Sequence, residues 1–92
     1  MKNSYYAGHV GQLDQTFSAG ENLINIIRKK HHLIDFRGLV KLGIQAPVGT
    51  KFVLNGEIIR IGATAIYELD YTVNIKELYF IEDTEALVDY IY

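Results

Sequence analysis

Lys51-Phe52-Val53-Leu54-Asn55-Gly56-Glu57-Ile58-Ile59-Arg60-Ile61 is the stretch that decides the fold class. Asn-Gly is the preferred central pair of a type I′ turn, because both positions need positive φ and these two residues tolerate it best. A two-residue turn at Asn55-Gly56 fixes the register. Leu54 then opposes Glu57, Val53 opposes Ile58, and Phe52 opposes Ile59. Side chains alternate across a strand. Phe52, Leu54, Ile59 and Ile61 therefore share one face, and Val53 and Ile58 share the other. Apolar residues on both faces predict that both faces are covered.

On the N-terminal side, Val40, Leu42, Ile44 and Ala46 alternate with Lys41, Gly43 and Gln45, the period-two pattern of a half-buried strand. Pro47-Val48-Gly49-Thr50 turns it into the hairpin. On the C-terminal side, Gly62-Ala63-Thr64 breaks the chain before a strand at Ala65-Ile66-Tyr67-Glu68-Leu69, and Asp70-Tyr71-Thr72 turns again. Val73, Ile75, Tyr79 and Ile81 predict a long strand over 73–81. Glu82-Asp83-Thr84-Glu85 leads into a last strand, Ala86 to Tyr92. Short strands with turn signals between them predict a mainly β fold, a small antiparallel sandwich or partly open barrel.

Before residue 33 the pattern differs. Ser18-Ala19-Gly20-Glu21 has the spacing of a capping box, with Ser18 as N-cap and Glu21 three residues on. Leu23, Ile24, Ile26 and Ile27 follow at helical spacing, and Arg28, Lys29 and Lys30 sit where the helix dipole favours cations. These signals predict one short helix over 19–31, lying over an open end or edge of the strand layers. Residues 1–17 show no clean period. They read as an extended arm with one short strand at most, either frayed or held by a neighbour. The chain is thus a single domain: arm 1–17, helix unit 18–32, β module 33–92.

The 92 residues are 49% hydrophobic, which suits a globular domain rather than a disordered one. There is no Cys, which excludes disulfides and thiolate chemistry and suits synthesis in a reducing cytoplasm. Met1-Lys2-Asn3-Ser4-Tyr5 has no apolar signal-peptide core, and no apolar run approaches the roughly 20 residues that span a membrane. Charge is segregated along the chain. Residues 28–60 carry seven basic side chains against two acidic ones, and residues 61–92 carry one basic against seven acidic. Spatial interleaving would cancel that asymmetry, whereas a two-signed surface would suit subunit docking.

Catalytic chemistry finds little material. His31 and His32 are adjacent and diverge on a helix, and no third ligand stands at metal-binding spacing from them or from His9. They read as solvated histidines at a helix end. Of the two serines, Ser18 has a structural task as N-cap and Ser4 lies in the arm, and Glu82, Asp83 and Glu85 fall in a turn, where carboxylates stay solvated. Gly8-His9-Val10-Gly11 has the form of a GxxG loop without the basic flank a nucleic-acid clamp needs. Catalytic, cofactor and metal residues are all expected to be absent. Tyrosine is the better signal, at seven residues. Its apolar ring and polar tip suit interfaces. Tyr5, Tyr6, Tyr67, Tyr71, Tyr79, Tyr90 and Tyr92 are the candidate protein-contact residues, and Ser18, Glu21, Asn55 and Gly56 the structural ones.

The run Lys41–Gly62, with Ile66-Tyr67-Glu68-Leu69 and the closing Val88-Asp89-Tyr90-Ile91-Tyr92, resembles small β-rich structural proteins of tailed bacteriophages and prophages over about residues 38–92. The resemblance implies a virion role, such as head decoration, head fibre, neck or tail component, and transfers no binding residue. The expectation is a non-enzymatic virion protein, made in the host cytoplasm, that packs against other virion proteins and against itself. A phage-encoded or bacterial inhibitor of a host protein complex is the rival. Membrane contact is not expected, and nucleic acid is disfavoured by the net charge of −2. The last strand, Ala86 to Tyr92, is expected to be an uncovered edge that a neighbour must shield, most simply in a closed ring such as a trimer.

Overall fold

The computed structural model describes residues 10–34, 38–69 and 75–92. In chain order the elements are β1 (Val10–Phe17), α1 (Leu23–Lys30), β2 (Lys41–Gln45), β3 (Lys51–Leu54), β4 (Glu57–Arg60), β5 (Ile66–Leu69), β6 (Leu78–Phe80) and β7 (Thr84–Ile91). They form two open sheets, a back sheet ordered β1-β7-β2-β5 and a front sheet ordered β4-β3-β6, with every pairing antiparallel. The protein is mainly β, a small sandwich with one short helix.

The hairpin is the pivot of the front sheet. Asn55 and Gly56 have φ of +48° and +88°, the left-handed pair that a type I′ turn requires, and Lys51 to Leu54 pair with Arg60 to Glu57 in that register. Phe52, Leu54 and Ile61 point inward and are buried. They meet Phe17, Leu13, Leu42, Ile44 and Val88 of the back sheet in one hydrophobic cluster, in which the Phe80 ring lies tilted at 5.5 Å from Phe17 and edge-on at 6.1 Å from Phe52. Each fully buried Leu, Ile or Phe contributes about 1.5–3 kcal/mol relative to exposure. The other face of the hairpin departs from expectation. Ile58 is 67% exposed, so nothing covers that face there. Val53 is buried yet lies outside the main cluster, because it sits on the middle strand between Ile58 and Tyr79.

The largest correction concerns the arm. Residues 1–9, with Tyr5 and Tyr6, lie outside the described residues, but Val10 to Phe17 form an eight-residue strand paired along its whole length with β7. Its inward positions are Gly11, Leu13, Gln15 and Phe17, of which only Leu13 and Phe17 are buried. Gly11 and Gln15 dilute the period-two signal below recognition. The ring of Tyr90 lies across Gly11, where a Cβ would fall 2.5 Å from it, so the partner strand fills the place of the missing side chain. β7 is consequently an interior strand between β1 and β2, not an edge, and no neighbour is needed to shield it.

Two further readings need correction. The strand predicted over 73–81 is only Leu78–Phe80. Residues 70–74 lie outside the described residues and Ile75–Glu77 is not a strand. Leu78 and Phe80 face the core, whereas Tyr79 and Ile81 face outward. The helix begins not at Ser18 but after Asn22, whose Oδ1 accepts the Ile24 N–H at 3.1 Å. Gly20 has φ of +78° and donates its N–H to the Phe80 carbonyl, which turns Ser18–Glu21 out of helical geometry. The Ser18 carbonyl instead accepts the Glu21 N–H at 3.1 Å, and Leu23, Ile24 and Ile27 form the buried face of α1.

Candidate protein-interaction site

The tyrosines singled out in the sequence divide once they are placed. Tyr90 is 3% exposed and belongs to the core, so it is no surface contact. Its inward position on β7, beside Val88 and Ala86, buries it. Tyr92 packs against the same cluster, and Tyr67 meets Phe52 edge-on at 5.2 Å with its ring on the core side. Tyr71 lies outside the described residues, as do Tyr5 and Tyr6. Tyr79 alone among the described tyrosines stands on an outward sheet face.

His31, at the C-cap of α1, is half-buried rather than solvated. Its Nε2 lies 2.7 Å from the Tyr90 hydroxyl and its Nδ1 3.1 Å from the Tyr92 hydroxyl. A neutral imidazole has one N–H and one lone pair, so one tyrosine accepts and the other donates. Burial, reinforced by the charges of Lys30 and His32, lowers the His31 pKa from its ordinary 6.5. Burial, with Tyr92 beside it, raises that of Tyr90. The triad ties the helix end to β7. Asn22 ties the helix start to the front sheet, accepting the Leu78 N–H at 3.1 Å and donating Nδ2 to the Lys76 carbonyl at 3.1 Å. The helix thus bridges both sheets. Among the described residues no three His, Asp or Glu side chains come together to hold a metal ion, and no helix is long and apolar enough to cross a membrane.

Two outward sheet faces remain. On the front sheet, Ile58, Val53 and Tyr79 form one row across the strands, and Arg60, Lys51 and Ile81 form the next. Ile58 and Ile81 are exposed, and these six positions hold two cations and no carboxylate. On the back sheet, Gln12, Asp89, Gly43 and Glu68 form one row, and Asp14, Leu87, Gln45 and Ile66 the next. The Asp89 carboxylate lies directly over Gly43. Val10, Ile91 and Lys41 make a third row, and together with these residues the hollow at Gly43 has a volume of about 360 Å³. Along the sandwich side, Lys30 Nζ donates to the Gln12 carbonyl at 2.6 Å and so occupies part of the open edge of β1.

Comparison of the chain with protein-family models, curated proteins and solved structures found no match in any of the three.

The sequence located Tyr79 but missed what makes its surroundings a surface. That required knowing that no other element covers Ile58 and that the β6 register turns Ile81 to the same outward face.

Proposed function

We propose that this protein is a non-enzymatic structural component that acts by packing against other protein chains, in the manner of the virion proteins of tailed bacteriophages that residues 38–92 resemble. The observation that carries the reading is the outward face of the front sheet. Ile58 is 67% exposed and Ile81 42% exposed, beside Tyr79, with Lys51 and Arg60 at the margin. A folded chain gains nothing from apolar side chains held there in water, whereas a protein partner gains their burial and two charges that fix orientation.

The test is quantitative mass spectrometry of particles purified from the source culture, with parent protein and an Ile58→Glu variant compared. The substitution lies on the surface, so melting should shift little, by about 0.5 kcal/mol or less in stability. The parent should co-purify with particles in fixed ratio and the variant should be depleted several-fold. A chain absent from particles would sink the virion reading. Recovery instead on a host enzyme complex would replace it with that of an inhibitor.

A further inference from the structure

The partner of the front face can be specified further, on the premise that this face docks a protein. We infer that it is a second copy of the same chain, presenting the outward face of its back sheet. The argument is charge. Lys51 stands directly opposite Arg60 across the β3–β4 ladder, and like charges so placed repel. On the back sheet, Asp89 and Glu68 flank Gly43 from either side, with Asp14 and Glu85 on the same face and Lys41 as the cation. The outward row positions of the front sheet therefore carry cations alone, and the back face carries an excess of carboxylates, four against Lys41. Front to back brings Lys51 and Arg60 against carboxylates. Front to front would oppose cations, and back to back would oppose anions.

The apolar groups agree with this pairing. Ile58, the more exposed of the two isoleucines on the front face, has a counterpart in exposed Ile66 and half-buried Leu87 on the back. The Asp89 carboxylate lies over Gly43, and the hollow beside it, bounded by Ile66 and Leu87, is open to a partner's side chain. Sheets stack face to face at about 10 Å, a spacing at which such side chains interdigitate. The two patches are different surfaces, so the contact is heterologous. Repetition gives a head-to-tail row, which closes into a ring or continues as a filament. This arrangement replaces pairing at the β7 edge as the mode of self-association.

Light scattering and sedimentation velocity of the purified chain test it. The mean mass of the parent should rise with concentration and fall with added salt. Lys51→Glu with Arg60→Glu should hold the chain as a monomer, and so should Asp14→Lys with Glu68→Lys, all four positions being exposed. An equimolar mixture of the two double variants should regain the parental mass, because each reversed face then meets a face of opposite sign. Ile58→Glu alone should also give monomer and guards against a folding defect in the charge variants. A parent that stays monomeric at every concentration, double variants that keep the parental mass, or a mixture that stays monomeric would each overturn the inference. A monomeric parent that still co-purifies with particles through Ile58 would remove self-stacking and leave the docking reading standing. Loss of both would remove both.

Discussion

His31 shows how far a residue's role depends on what folds beside it. By sequence it is a solvated histidine at a helix end. In the fold it is a bridge between the Tyr90 and Tyr92 hydroxyls. Its pKa is lowered first by burial, so in the window just below 6.5 the unfolded chain binds more protons than the folded one. The neutral ring's contribution is therefore fully present above about 6.5 and is lost as the pH falls through the folded value. Thermal melts across that window should show the parent losing stability on acidification, with a shallower slope for His31→Gln. Identical slopes for the two proteins would show that the bridge does not titrate with folding. Gly11 belongs to the same account, since the Tyr90 ring that His31 holds lies over its Cα.

The start of α1 departs from a local pattern that is itself sound. Ser18 and Glu21 have capping-box spacing, but the Gly20 N–H is taken by Phe80 and its φ is positive, so the chain enters the helix later, at Asn22. Asn22 also reaches the backbone of Lys76 and Leu78, while Asn55 Oδ1 accepts the N–H groups of Lys76 and Glu77 at 2.8 and 3.1 Å. Two asparagine side chains thus clamp the irregular segment that leads into β6, and their long-range partners leave no trace in local sequence. Asn22→Ala removes a cap and leaves the Leu78 N–H without its acceptor, so it should destabilise by about 2–3 kcal/mol in denaturant titration. Ser18→Ala should stay within about 0.5 kcal/mol of the parent. The reverse ranking would restore the earlier helix start.

Across the whole molecule, the decisive event is that Val10–Phe17 crosses back to pair with β7. It converts what reads as an exposed terminal strand into the interior of a sheet and places Leu13 and Phe17 in the core. Removal of residues 1–17 should therefore unfold or aggregate the chain, seen as loss of sheet ellipticity or a rise in scattering. A truncated protein that stays monomeric and melts as the parent does would show that β1 is dispensable. The sequence by itself determined the hairpin at Asn55-Gly56, its register and the mainly β class, because turn chemistry and period-two alternation act between neighbours in the chain. Tertiary structure alone decided the place of β1, the exposure of Ile58 and Ile81, the burial of Tyr90 and the bridging task of His31. Each of these depends on contacts between segments far apart in sequence, and the residues involved, a glycine, an asparagine or an isoleucine, have the same local preferences whichever partner they meet.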